Sequence, residues 1–271
     1  MPELPEVETT RRGLEPVMVG SRITAVVVAE RRLRWRLPAS FEAALSGRRI
    51  TAVGRRAKYL LVHTDGGTLL VHLGMSGNLR VLEASAPRRM HDHVDLVLDT
   101  GRCVRFNDPR RFGSMHFVRG RPERHRLLRA LAPEPLGDGF DADYLWPRTR
   151  GRRVAIKQLL MNAAVVVGVG NIYASEALFR ARISPRRAAG ALTRTEVERL
   201  VRAVKRVLSA AIRVGGTTLR DYVSAEGSPG YFRQKLYVYE RSGAPCRVCR
   251  TPVRHVVQGQ RSTYWCPSCQ R

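Results

Sequence analysis

The sequence predicts an α+β chain of two domains, with a short leading helix, a strand-rich first half, a helical second half and a four-cysteine metal site at the end. Three observations predict it. Short aliphatic and β-branched runs crowd residues 22–118, separated by Asp/Gly turn signals. One apolar stripe at helical spacing runs from Val197 to Ile212. Four of the five cysteines sit close together at the C-terminus in two C-x2-C pairs. With 271 residues, two domains can each bury a core.

Residues 5–18 read as the leading helix. Pro5 suits its first turn, Glu6 and Glu8 complement the positive end of the helix dipole, and Arg11 and Arg12 lie towards the other end. Val7, Leu14 and Met18 give it an apolar side. Val26–Val28, Tyr59–Val62, Thr68–Val71 and His93–Leu98 then read as strands, with Asp65-Gly66-Gly67 and Asp99-Thr100-Gly101 as hairpin turns. Many short strands at close spacing point to a sandwich or a barrel. The pentapeptide Arg-Ile-Thr-Ala-Val occurs at 22–26 and again at 49–53. Five residues do not establish a repeat, and the match is attributed to shared strand preference.

Prolines and glycines accumulate over 119–150 and mark a linker. The expected division is therefore a strand domain over 1–132, a linker over 133–150, a helical domain over 151–234 and a metal-bound finger over 235–271. Within the helical part, Thr193 and Glu196 form a capping box and Leu192 with Val197 a hydrophobic staple. Gly215-Gly216 ends that helix. Arg199, Arg202, Lys205 and Arg206 occupy its other faces and read as solvated.

Cys246, Cys249, Cys266 and Cys269 follow C-x2-C-x16-C-x2-C, within the range of a four-cysteine zinc site. Two thiolate pairs fill all four tetrahedral positions, which makes one Zn2+ structural rather than catalytic. A disulfide pair is the competing reading, disfavoured in a reducing compartment. Val253–Val257 and Arg261–Trp265 look like two strands joined at Gln258-Gly259-Gln260. Arg261 would then project from a hairpin tip.

Lys and Arg number 48 against 23 Asp and Glu, a net charge of +25. Such a surplus attracts a polyanion, with nucleic acid the leading partner. A hydrophobic content of 44% argues against a disordered basic tail. No stretch approaches the roughly 18 apolar residues of a membrane span, and the acidic, proline-containing start is unlike a secretory signal. The expectation is a cytoplasmic protein without a membrane partner.

Met1-Pro2-Glu3-Leu4-Pro5-Glu6 suggests chemistry at the terminus itself. Initiator methionine is commonly removed when proline follows, leaving Pro2 with a free secondary amine. An α-amine titrates near 8, so roughly a tenth is neutral and nucleophilic at pH 7. It could attack a sugar's anomeric carbon and form a Schiff base, with Glu3 shuttling protons. Taken alone, these residues suit a protected terminus and a helix start better than chemistry.

Together the two ends resemble the formamidopyrimidine-DNA glycosylase family, and the resemblance covers nearly the whole chain. It rests on Met1–Glu8, Arg55-Arg56-Ala57-Lys58-Tyr59, His72-Leu73-Gly74-Met75-Ser76-Gly77, His91-Asp92-His93-Val94-Asp95, Asp108-Pro109-Arg110-Arg111-Phe112-Gly113, Val167–Ala174 and the cysteine pairs. The resemblance implies an N-terminal β-sandwich and a helix–two-turns–helix domain ending in the zinc finger. It also implies a monomeric, bifunctional base-excision repair enzyme of the bacterial cytoplasm, acting on double-stranded DNA. Such an enzyme removes 8-oxoguanine and formamidopyrimidines, then cleaves the abasic site by β,δ-elimination.

By that resemblance Pro2 is the nucleophile, Glu3 the acid/base residue and Lys58 a lysine beside the lesion. Met75, Arg110 and Phe112 match a trio inserted from the minor groove. Met and Phe can replace the stacking lost when a base is extruded, and Arg110 can test the orphaned cytosine. His72, Lys157, Asn171, Tyr239 and Arg261 match positions that grip the backbone, and residues 217–230 match a loop covering an extruded purine. Glu6 and Glu176 match acidic residues near the site. Glu240 departs from the pattern, standing where related sequences often carry glycine.

Two competing readings stay open at this point. One is the sister endonuclease VIII family, which shares the architecture but prefers oxidised pyrimidines. The other is a zinc-dependent DNA-binding protein without catalysis.

Overall fold

The computed structural model describes residues 2–216 and 236–271. The described residues form two compact units, one of residues 2–129 with 214–216 and one of residues 130–213 with 236–271. The loop expected over 217–230 lies outside the described residues.

The first unit opens with α1 (Leu4–Met18), whose Leu4, Val7, Leu14 and Met18 face inward. Strands β1 (Ile23–Val28) and β2 (Ile50–Arg56) flank the one-turn helix α2 (Phe41–Leu45). They are followed by β3 (Tyr59–Thr64), β4 (Gly67–His72), β5 (Asn78–Glu83), β6 (Asp92–Leu98), β7 (Arg102–Asn107) and β8 (Ser114–Val118). Two four-stranded antiparallel sheets result, ordered β1-β6-β7-β5 and β2-β3-β4-β8. Alternation decides which side chains fill the space between them, because successive residues of a strand point to opposite faces. Leu60, Val62, Leu69 and Val71 of one sheet join Val94, Leu96, Val104 and Phe106 of the other in a single core. The architecture is a β-sandwich.

The repeated pentapeptide forms strand in both places, as its shared strand preference predicts, and the two copies also share a local geometry. Each copy leads into the edge strand of its own sheet. Each strand carries a register irregularity between its Ile and its Ala, at Ile23/Ala25 and at Ile50/Ala52. Arg22 and Arg49 form an antiparallel bridge. The same five residues therefore make the same bulged entry into both sheets.

The second unit holds α3 (Ala142–Thr149), α4 (Ile156–Leu160), α5 (Asn171–Arg180), α6 (Arg194–Arg213) and the hairpin β9 (Arg254–Gln258) and β10 (Arg261–Trp265). Helix α3 lies inside the stretch expected to be linker. The surrounding prolines and glycines obscure a good cap: the Asp141 side chain accepts from the Tyr144 N–H at 2.7 Å. Pro147 falls in the last turn of the helix. The capping box of α6 forms as expected, with Thr193 N–H donating to Glu196 Oε2 at 2.8 Å and Glu196 N–H to Thr193 Oγ1 at 3.3 Å. Among the described residues no helix is long and apolar enough to cross a membrane.

Candidate active site and nucleic-acid interface

The N-terminus is held by the residues that follow it. Glu3 is the N-cap of α1, and its N–H donates to Glu6 Oε2 at 2.9 Å. Glu6 N–H returns the bond to the Glu3 carboxylate, completing a capping box with Glu where Ser or Thr usually stands. Pro2, Glu3 and Glu6 are all buried. Glu6 thus fixes the backbone that carries Pro2, a positioning role its sequence match left open.

Glu8 anchors α1 to β2, the strand that leads into the Lys58 turn. It meets Arg11 at 3.1 Å, Arg12 at 2.9 Å and Arg55 of β2 at 3.1 Å. Burial opposes the charge on Glu8, yet the hydrogen bonds from Arg11 and Arg12 and the nearby Arg55 hold its carboxyl below the usual range. Arg55 Nη1 also donates to Ala57 O at 2.8 Å. Ala57, with φ +55°, and Lys58 form the two-residue turn between β2 and β3. Lys58 is therefore presented on a tight tip braced from α1.

The strand register brings His72 of β4 opposite Tyr59, with ring centroids 4.9 Å apart. Burial, then the positive charges of Lys58 and Arg34, push His72 down to about 4. Gly74 N–H donates to His72 Nδ1 at 3.0 Å. With Nδ1 as acceptor, the neutral ring carries its proton on Nε2. His72 is thus an uncharged, directed donor at neutral pH.

Met75, Arg110 and Phe112 come from two adjoining loops that one carboxylate locks together. Asp108, with 0% exposure, accepts from Ser76 Oγ at 2.7 Å and from Gly113 N–H at 2.7 Å. Ser76 Oγ in turn accepts from Arg110 N–H at 3.3 Å. Gly74 has φ +66°, and a Cβ there would lie 2.4 Å from the Gly113 nitrogen, so no larger residue fits. Phe112 is 44% exposed and Arg110 lies over its ring at 4.9 Å. Asp108 and Ser76 stand in the matched motifs with no role assigned from the sequence. The carboxylate–glycine spacing of Asp108–Gly113 is the signal that points to one.

In the second unit, Gly170 is the N-cap of α5 and Asn171 its first residue. Asn171 Nδ2 lies 3.5 Å from Tyr239 Oη, while Asn171 Oδ1 is buried without a hydrogen-bond partner. Turning the amide over would give Oδ1 the tyrosine hydroxyl and free the NH2 for an anion. Glu176 does not line this surface. It is buried and accepts from the N–H groups of Tyr237, Val238 and Tyr239 at 2.9, 2.9 and 3.0 Å. Glu176 therefore fixes the backbone that presents Tyr239. Glu240 is exposed with φ +56°, which is the physical reason glycine suits this position.

Lys157, expected to grip DNA, is only 1% exposed, and its Nζ donates to Ser262 O and Thr263 Oγ1, both at 2.8 Å. These two bonds tie its ammonium group to the finger hairpin. Arg261, by contrast, is exposed beside a two-residue turn in which Gly259 and Gln260 both have positive φ, as a type I′ hairpin requires.

The four cysteine sulfurs lie within 4.8 Å of one another, with 3.4 Å between Cys249 and Cys266 and 4.0 Å between Cys246 and Cys269. Zinc–sulfur bonds of ~2.3 Å in a tetrahedron give sulfur–sulfur edges of about 3.8 Å. The set fits such an ion and is too widely spaced for disulfides. Cys246 and Cys266 also share a small core with Phe179 of α5, Val238 and Val253.

Comparison with known proteins agrees with this geometry. Residues 1–115 match the formamidopyrimidine-DNA glycosylase N-terminal domain, 131–223 its H2TH domain, and 243–271 the zinc finger found in FPG and IleRS. The formamidopyrimidine-DNA glycosylase of Thioalkalivibrio sulfidiphilus is 60% identical, with all of both chains aligned. The MutM (Fpg) protein of Thermus thermophilus superposes with a TM-score of 0.89 at 43% identity, covering 99% of this chain and 98% of that one. A Lactococcus lactis Fpg variant solved with a Fapy-dG containing DNA gives 0.93 at 32% identity, with full coverage of both. Family models that together span most of the chain, and a full-length relative at this identity, place the protein in the formamidopyrimidine-DNA glycosylase family.

Proposed function

We propose that the protein is a bifunctional DNA repair glycosylase and lyase that removes oxidised purines, 8-oxoguanine and formamidopyrimidines, from duplex DNA. The buried capping box that holds Glu3 and Glu6 around the first residues supports this reading most directly. A terminus with no chemical task would not need two buried carboxylates to fix it.

In this reading the neutral Pro2 amine attacks C1′ of the damaged nucleotide as the base–sugar bond breaks. The base leaves with the bonding electrons and takes up a proton. The attacking nitrogen loses its N–H proton, and opening of the sugar ring, with O4′ taking up a proton, leaves an iminium ion (the cationic Schiff base of a secondary amine) between Pro2 and C1′. That cation acidifies C2′, and loss of its proton expels the 3′ phosphate; a further proton loss expels the 5′ phosphate. Glu3 moves the protons, and Lys58 supplies positive charge beside the lesion. His72 donates from Nε2 to a backbone oxygen, and Met75, Arg110 and Phe112 fill the space left by the extruded base. In the second unit, Asn171, Tyr239 and Arg261 hold phosphates, α5 adding its N-terminal amides. Cys246, Cys249, Cys266 and Cys269 hold one structural Zn2+, which supplies folding free energy to the finger rather than chemistry. The monomer and the bacterial cytoplasm are proposed with this function.

Excision measured on two duplexes tests the assignment. Faster release of 8-oxoguanine opposite cytosine than of thymine glycol supports it. Faster release of thymine glycol would move the protein to the pyrimidine-directed sister class, and no release of either would leave a DNA-binding protein without catalysis.

A further inference from the structure

Asn171 begins α5 and Arg180 ends it, about 14 Å apart along the axis. At the Arg180 end lies a cavity of about 420 Å3 whose lining includes Arg180, Arg182, Arg199, Arg202 and Arg206. A second cavity of about 470 Å3 shares Arg182, Arg199 and Cys269 with it, so the two form one groove. Arg199, Arg202 and Arg206 are spaced three and four apart and make one stripe of α6.

No carboxylate lines the first cavity, and Glu196 is the one acidic side chain lining the second among the described residues. Glu196 and Glu198, the nearest acids on α6, are paired with Arg187 and Arg194. Among the described residues none of the five groove arginines has an ion pair; Arg199 donates from Nε to Ala181 O at 2.6 Å, and Arg180 rests on the Tyr237 ring. Like charges gathered in a concavity repel one another in the free protein and are relieved by an anion.

The floor is apolar. Phe179 and Tyr237 stack with centroids 5.2 Å apart, Ala203 lies among the lining residues, and Val248 is 60% exposed at the rim. Arg180 lies over the Tyr237 ring at 5.0 Å. With Phe179 and a guanidinium already against it, that ring is not offered to a nucleobase. A guanidinium rim around an apolar floor matches carboxylates flanking an apolar side chain. The cavity size is that of a small-ligand or short-peptide site.

We propose that this groove is a docking site for an acidic peptide segment of a partner protein, with the segment's carboxylates on the α6 arginines and an apolar side chain against Val248 and Ala203. The inference does not depend on the glycosylase reading. Because the groove lies at the end of α5 away from Asn171, peptide and DNA would not compete for that residue.

The test uses the full-length protein saturated with a duplex bearing an uncleavable abasic analogue, at about 0.15 M salt to screen diffuse attraction. The probe is a fluorescein-labelled synthetic octapeptide of three aspartates, leucine, phenylalanine and three aspartates. Anisotropy should report binding with a Kd of roughly 10 μM or tighter. The R202E/R206E variant should weaken it about tenfold or more, while R119E/R121E, which loses the same charge from the first unit, should change it less than about twofold. Should the reversed pair fail to fold, R202Q/R206Q carries the same expectation. Equal loss in both pairs would reduce the effect to net charge and overturn the proposal. Absence of peptide binding would also overturn it, as would displacement by the duplex. Tighter binding of a thymidine oligonucleotide, lost in R202E/R206E, would overturn it by reassigning the groove to single-stranded nucleic acid.

Discussion

Asp108 accepts the Ser76 hydroxyl at 2.7 Å, across 32 residues of chain, and by that bond couples the loop of Met75 to the loop of Arg110 and Phe112. Neither loop belongs to a regular element, so their shared geometry depends on a buried carboxylate with two donors. Removing the Ser76 hydroxyl takes one donor from Asp108 and the acceptor from Arg110 N–H.

Ser76→Ala should therefore cost about 1–3 kcal/mol of stability, the range for leaving a buried polar group without its partner. It should lower excision from duplex DNA about tenfold. Cleavage of an abasic site in single-stranded DNA should change little, since no stacked partner is left behind. Single-turnover rates on the two substrates check this; equal losses on both would detach the loop pair from base extrusion.

His72 links the site to acid stability. Its folded value near 4 lies below the unfolded 6.5, so the unfolded chain binds the extra proton between those values. Stability from this residue is fully present above pH 6.5 and is lost as pH falls towards 4, by up to about 3 kcal/mol. His116, pushed to about 4 by burial and by the charges of His125 and Arg126, acts in the same direction. Urea unfolding at pH 7 and pH 4.5 should show a smaller loss for His72→Asn, whose Oδ1 can still accept from Gly74 N–H. An identical loss would place the titration elsewhere.

Lys157 and Arg261 should separate in their response to salt. Arg261→Ala should weaken DNA binding and reduce the log–log salt slope by about 1, as one lost phosphate contact does. Lys157→Met should leave that slope unchanged while destabilising the second unit by about 1–3 kcal/mol, because Ser262 O and Thr263 Oγ1 lose their donor. A reduced slope in Lys157→Met would restore it to the DNA-gripping set.

Glu240, held at φ +56°, carries backbone strain that glycine does not. Glu240→Gly should raise stability by about 0.5–1 kcal/mol, the left-handed penalty less the added freedom of the unfolded chain. Thermal unfolding of the two proteins checks the sign.

What can be read from the sequence follows the range of the interactions involved. The aliphatic and β-branched strand runs, the Thr193–Glu196 cap and the cysteine spacing are local patterns, and each reappears in the structure. Lys157 escapes such a reading because a lysine in a short helix looks the same whether its ammonium reaches a phosphate or a carbonyl 105 residues away. The Asp108–Ser76 bond and the Glu176 clamp on Tyr237–Tyr239 join residues whose pairing only the fold decides. Helix α3 is hidden because Pro147 and the surrounding glycines outweigh the Asp141 cap. The Arg-Ile-Thr-Ala-Val copies are visible, but their matching bulges need both sheets.

The nucleophile is the central claim, and locating its bond tests it most directly. The protein should be reduced with borohydride during turnover on abasic DNA, digested, and its adduct mapped by tandem mass spectrometry. The account predicts a deoxyribose remnant on the nitrogen of Pro2. An adduct on Lys58 or another lysine, with Pro2 unmodified, would contradict it.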